Sequence, residues 1–178
     1  MQYMKLNRQE RRFVIGHLAA MPDFLDASFG ELSAIDAAVP GVDGTPAPVE
    51  QCWHLADLER EGYGSRIRRL LDESNPLLAD FDGTRIARER NYLMRPLGEA
   101  LDAFRAARAE NLAALRQAQA GDWLRAGVQE GVGPIALCDI PNMMAEHDDI
   151  HRGEIESWLR DRSRARRHRA TVRAPATK

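Results

Sequence analysis

The sequence predicts an all-α protein, an antiparallel four-helix bundle with long loops and a basic C-terminal tail. Three observations predict it. Ala, Leu, Arg and Glu are abundant, whereas Tyr and β-branched residues are sparse. No stretch alternates cleanly between apolar and polar residues, as a half-buried strand does. Four stretches carry apolar residues at helical spacing.

The first helical stretch runs from about Asn7 to Val39. Its apolar residues include Phe13, Val14, Leu18, Met21, Leu25, Phe29 and Leu32, and Pro22 breaks or kinks it. Gly41-Val42-Asp43-Gly44 marks a turn. The second stretch runs from about Pro46 to Asp72, with a stripe of Val49, Trp53, Ala56, Tyr63, Ile67 and Leu70. Asp72 to Tyr92, holding Ser74-Asn75-Pro76 and Asp82-Gly83, reads as irregular. At about 20 residues it exceeds the usual loop length, which predicts a lid, a binding loop or an insertion. The third helix runs from about Pro96 to Ala120, with Leu97, Leu101, Phe104, Asn111 and Leu115 on one side and Pro96 in the first turn. Gly121 to Pro134 is a second loop, with four glycines. The fourth helix starts at Asp139 as N-cap, accommodates Pro141 in its first turn and runs to about Asp161. Beyond it, Arg162 to Lys178 has almost no apolar residue and reads as a frayed helix end, then a disordered tail. The expected division is therefore a bundle over 1–161 and a basic tail over 162–178.

At 178 residues the chain suits one domain, and its 44% apolar content supports a core. The formal charge of −2 hides an asymmetry. Residues 160–178 hold eight Lys and Arg against one acid, Asp161, and carry +7. The preceding 159 residues, with 17 basic and 26 acidic groups, carry −9. Basic tails bind polyanions non-specifically. No recognition helix or aromatic platform accompanies this one, and an acidic body repels a phosphate backbone, so nucleic acid is not an expected partner. Two cysteines and no leader at Met1-Gln2-Tyr3-Met4-Lys5 predict a reduced, cytoplasmic setting. The apolar run Phe13 to Met21 is far short of the ~20 residues of a membrane span.

Five histidines are present: His17, His54, His147, His151 and His168. The buried seam of the fourth helix reads Ile140, Met144, His147, His151, Ile155, Trp158. Two histidines thus occupy core positions four residues apart, on one face and about 6 Å apart along the axis. That spacing suits two imidazoles on one ion. The competing reading is a pair of core histidines, each satisfied by a hydrogen bond. Other metal signatures fit less well. His147-Asp148-Asp149-Ile150-His151 has Asp148 where a zincin has Glu, and the paired signature of a di-iron bundle is absent. Cys52 and Cys138 are isolated and read as small packed thiols. His54 sits beside Glu50, Asp57 and Glu61, off the main stripe, and pattern alone assigns it to a solvated acidic face. His17 reads as ordinary packing and His168 as solvated.

Trp53-His54-Leu55-Ala56-Asp57-Leu58-Glu59 on the second helix, followed by Glu146-His147-Asp148-Asp149-Ile150-His151 on the last, resembles the DinB-like superfamily. These are the YfiT-like or bacillithiol-transferase-like four-helix bundles of bacteria. The resemblance covers about Gln9 to Arg160 and includes Leu78-Ala79-Asp80-Phe81-Asp82-Gly83, the helix from Phe104 to Leu112, and Gly133-Pro134. It implies a three-histidine divalent-metal site at His54, His147 and His151, and so turns the His54 face inward. Two departures stand out. Ala136 replaces the Thr that many relatives carry before the last helix, and Glu154 replaces a frequent Gln, which adds negative charge near the metal or a carboxylate behind a ligand.

Three protein ligands leave a coordination position open, the pattern of catalytic sites. The resemblance implies a metal-dependent enzyme that uses a low-molecular-weight thiol (bacillithiol, mycothiol or glutathione) as cosubstrate, acts on a small molecule and forms a homodimer. The alternatives are a metal-dependent hydrolase, and a non-catalytic stress-response bundle with a structural metal. Zinc is the first expectation; imidazole also suits nickel, iron and copper, and manganese is a further candidate. Asp57, Asp148 and Glu154 are the candidate acids near the metal, with Asp148 rotated about 100° from His147. Arg85, Arg88 and Arg90 are candidates to meet a cosubstrate carboxylate; the simpler reading is a solvated charged loop.

Overall fold

The computed structural model describes residues 7–173, with side chains as far as 165 and at 167. Helix α1 (Arg8–Ala19) opens on a capping box. Asn7 Oδ1 accepts the Gln9 and Glu10 amides, and the Glu10 carboxylate accepts the Asn7 N–H at 2.6 Å. The chain breaks at Ala20, and Pro22 falls in the first turn of α2 (Met21–Phe29), where its missing N–H costs nothing. A single turn, α3 (Ala34–Ala37), follows. The second long rod is α4 (Pro48–Asp57), a π-helical turn (Leu58–Tyr63) and α5 (Gly64–Asp72) in unbroken succession. Helix α7 (Leu97–Gln117) is the third rod, with Pro96 as its N-cap, and α8 (Ile140–Arg173) is the fourth. Bundle and rods agree with the sequence expectation.

Both stretches expected as loops carry regular structure. Between Asp72 and Tyr92 lie a two-residue strand β1 (Leu77–Leu78) and helix α6 (Gly83–Arg90). Asp82 caps α6 by accepting the Arg85 amide, and Asn91 ends it in the left-handed region. Ile86 is its sole buried residue, so no apolar stripe announces it. The glycine-rich stretch folds as strands β2 (Ala126–Gln129) and β3 (Gly133–Ala136), antiparallel, with β1 added parallel to β2. Gly131 and Gly133 supply the positive φ that the hairpin turn needs, and Pro134 is tolerated because β3 is an edge. Buried Gly127 and Gln129 are not apolar, which hides the strand alternation.

The last helix also departs from expectation. It does not end near Asp161 but continues to Arg173. Arg162 pairs with Asp36 and lies over the Trp158 ring, fixing the start of the supposed tail to the bundle. Ala and Arg are good helix formers without any apolar face. Residues 174–178, part of the expected disordered tail, and the His168 side chain lie outside the described residues, as does the Met1–Lys5 start. Asp139 stands directly before α8, and its carboxylate closes the preceding turn by accepting the Ala136 amide at 2.8 Å.

The apolar interior forms two clusters. One gathers Leu25, Phe29, Trp53, Phe104, Ile155 and Trp158; the other gathers Leu18, Tyr63, Ile67, Leu115, Ile140 and Met144. Along α8, His147 and His151 fall between Met144 of one cluster and Ile155 of the other. Along α7, Arg108 falls between Phe104 and Leu112. A polar layer thus crosses the bundle between two apolar halves.

Candidate metal centre

His54 lies in the last turn of α4, and His147 and His151 lie one turn apart on α8. Helix α4 is buried on nearly every side: Asp57 is 0% exposed, and Gln51, Cys52, Trp53 and Leu55 are also buried. This overturns the solvated acidic face that pattern alone assigned to His54. The three imidazoles converge. One donor atom from each lies within 4.8 Å of the others, and Nε2 of His54 stands 3.3 Å from Nε2 of His147. Ring centroids are 5.4 Å apart for His54 and His147, 5.3 Å for His54 and His151, and 4.6 Å for His147 and His151.

Burial fixes their protonation. Desolvation, reinforced by His54 and Arg108, pulls His147 down to about 4. Desolvation, reinforced by His147 and His54, pulls His151 down to about 3. Desolvation also lowers His54, against the opposing pull of Asp57. All three rings are therefore neutral at pH 7, the state in which an imidazole donates a lone pair to a metal.

Neighbouring groups hold the rings in place. Nδ1 of His151 faces Gln51 Oε1 at 3.4 Å and Glu154 Oε2 at 3.0 Å. Gln51 is itself fixed, because its amide nitrogen donates to Pro46 O at 2.9 Å. The Gln51 acceptor at Nδ1 favours the proton there and leaves Nε2 with the free lone pair, while the Glu154 carboxylate lies close without a hydrogen bond. Phe81 packs tilted against His54, and Tyr63 stands edge-on to His147 while its hydroxyl donates to Met143 O. Gly83 backs His54: a Cβ at that position would lie 2.7 Å from Cε1 and 2.8 Å from Nδ1.

Of the candidate acids, only Glu154 touches a histidine. Asp57 is buried but spoken for. It accepts from the Tyr92 hydroxyl at 2.6 Å and from Arg60 at 2.8 Å, and it pairs with Arg90. That arrangement ties α6 and the following turn to the second rod. Asp148 faces away from the histidines toward α7 and grips Arg108 with both oxygens, at 2.7 and 2.9 Å. Arg108 uses all its N–H groups: it also donates to both oxygens of Glu59 and to Leu18 O. Asn111 donates to Glu59 as well. Burial pushes the Glu59 carboxyl above its usual range, against the pull of Arg108 and Asn111. Arg85 pairs with Glu89, and Arg90 with Glu61, so neither waits for a cosubstrate; Arg88 is exposed. His17 is half-buried and bonds Asp149, and both cysteines are buried.

Residues 12–155 match the family described as the DinB superfamily. The chain belongs to the DinB superfamily. A solved structure, YfiT from Bacillus subtilis, has the same fold at a TM-score of 0.83 and 17% identity, covering 92% of this chain and 93% of that one. It is described as “a probable metal-dependent hydrolase with an unusual four-helix bundle topology”. No curated protein matches this DinB-superfamily chain at a significant level. The expected fold and family are thus both found, and the three-histidine group sits where the two motifs meet.

Sequence reasoning missed Gln51, Gly83 and the Arg108–Glu59 pair. Arg108 and Glu59 are 49 residues apart, and each reads locally as a solvated charge. The one available signal was Asn111, a polar residue on an apolar stripe, which marks where α7 meets a buried polar partner.

Proposed function

We propose that this protein is a metal-dependent enzyme that transfers a low-molecular-weight thiol to an electrophilic small molecule at a centre formed by His54, His147 and His151. The observation that carries the reading is the convergence of three neutral imidazoles with no fourth protein ligand beside them among the described residues. Asp57 and Asp148 are held by arginines, and Glu154 stands at the far nitrogen of His151. Such a donor set fits a divalent ion with a position left for a reactant. Zinc suits it first, nickel, iron and copper also suit imidazole, and manganese is a further candidate. A bound ion there supplies Lewis acidity, lowering the pKa of a thiol or water. The chain's part is to present the lone pairs, fix the rings through Gln51, Glu154 and Gly83, and wall the site with Phe81 and Tyr63. The family resemblance supports the thiol and a homodimer, and the low cysteine content supports a reduced, cytoplasmic setting.

Hydrolysis by a metal-dependent route is the second reading, favoured by the description of YfiT, which shares the fold. One experiment separates the two. Metal-loaded protein is given an electrophile with a panel of low-molecular-weight thiols, and separately ester and amide substrates without thiol. Thiol-dependent conjugation that disappears in His147→Ala supports the transferase. Thiol-independent hydrolysis points to the second reading. If neither occurs while a chelator lowers the Tm, the ion is structural and both enzymatic readings fail.

A further inference from the structure

A cavity of about 570 Å³ opens between the start of α1 and the end of α7. Arg8, Arg11, Arg12 and Arg116 line it, and no acid does among the described residues. This is unexpected in a body carrying −9. Arg8, Arg11 and Arg12 share one face of α1 by their three- and four-residue spacing. The only acid of α1, Glu10, is engaged in capping Asn7. Elsewhere on the body, Arg60, Arg69, Arg85, Arg90 and Arg105 each hold a carboxylate. Arg8, Arg12 and Arg116 hold none among the described residues, although carboxylates outnumber bases in the body. Placing Arg8, Arg12 and Arg116 in one concavity without a carboxylate partner among the described residues is unfavourable. An anion from outside reverses the sign of that contribution.

We propose that this cavity binds a small, multiply charged phosphorylated anion, a ligand of the diphosphate type. Each guanidinium presents a planar fork of N–H donors that matches phosphate oxygens in pairs. Arg11 lies over the buried Trp123 ring at 4.7 Å from its centroid, which holds one fork in place before any ligand arrives. Ile15 and Leu115 form the apolar floor, lowering the local dielectric and strengthening each contact. The volume falls within the ordinary range of small-molecule sites, about 300–1,000 Å³. A concave site favours a compact anion over a nucleic-acid backbone, which presents its charges along an extended axis and would meet the acidic body on either side. The site shares no residue with the histidine centre and stands or falls independently of it.

Inorganic pyrophosphate is the probe. Calorimetric titration of the full chain at low salt is expected to give saturable binding of one equivalent. Arg12→Ala and Arg116→Ala are each expected to weaken it by about tenfold, the size of one lost charge-assisted contact. Arg160→Ala with Arg164→Ala, on the far part of α8, is expected to leave it unchanged, and the Tm of the cavity variants should match that of the parent. Absence of saturable binding overturns the proposal, as does binding indifferent to Arg12 and Arg116. A short DNA duplex that binds through these arginines where pyrophosphate does not also overturns it, and assigns the surface to nucleic acid.

Discussion

Glu154 Oε2 stands 3.0 Å from Nδ1 of His151, one helical turn along α8. With desolvation holding His151 down to about 3, the carboxylate faces a neutral imidazole, not a cation. The contact therefore restricts how the ring can turn about the position that Gln51 sets through Nδ1. Glu154→Ala is expected to lower metal affinity by about tenfold, the lower end of what losing an outer-shell partner costs. Glu154→Gln, which keeps an acceptor and matches the residue frequent in relatives, is expected to retain most of it. A chelator-competition titration measures both. Equal loss in the two variants would mean that charge, not orientation, is what Glu154 supplies.

Gly83 gives a second route to the same ring system. A side chain at this position collides with Cε1 and Nδ1 of His54, and α6 cannot retreat freely while Arg90 is tied to Glu61 and Asp57. Gly83→Val is expected to displace the His54 ring and cut metal affinity by at least about tenfold, with helix content retained in circular dichroism. Unchanged affinity would show that His54 does not need the place it occupies.

The histidines also set a pH dependence. Without metal, the unfolded chain protonates its histidines near pH 6.5, while the folded chain holds His147 at about 4 and His151 at about 3. Between these values the unfolded state binds more protons, so stability falls as pH falls from about 6.5 toward 3 and is fully present above it. The expected loss is on the order of a few kcal/mol. Chemical denaturation of metal-free protein at pH 7, 5 and 4 measures it. His147→Leu with His151→Leu should flatten the profile; an equally steep one would place the effect on the carboxylates.

Arg108 joins three elements by side-chain pairs, through Glu59 of the π turn, Asp148 of α8 and its own place on α7. Removing it takes the cation away from two buried carboxylates, leaving Glu59 with Asn111 alone. Arg108→Met is expected to cost about 3–5 kcal/mol, whereas replacing Arg108, Glu59 and Asp148 together by apolar residues of similar volume is expected to restore much of that loss. Thermal denaturation distinguishes the outcomes. A small effect of Arg108→Met would mean that water reaches the cluster.

The rods and the α8 histidine pair were legible because the signal is local. His147 and His151 interrupt an apolar seam at a spacing that fixes their common face. His54 was not legible from pattern, because a helix buried on almost every side has no polar face to contrast with; only the family resemblance turned it inward. The hairpin escaped because Gly127, Gln129 and Pro134 do not alternate in polarity. Helix α6 escaped because one buried residue, Ile86, makes no stripe. The continuation of α8 past Asp161 escaped because lack of apolar residues was read as lack of helix, whereas Arg162 is anchored by Asp36 and Trp158. Glu59 and Arg108 meet only through the tertiary fold.

The central claim is that His54, His147 and His151 together hold one divalent ion. Elemental analysis of protein purified without a nickel column, then stripped and titrated with zinc, tests it most directly. The account predicts one equivalent bound by the parent chain, and that binding lost in His54→Ala as fully as in His147→Ala and His151→Ala, with each variant still folded. Failure of the folded parent to bind, or full-strength binding by His54→Ala, would contradict it.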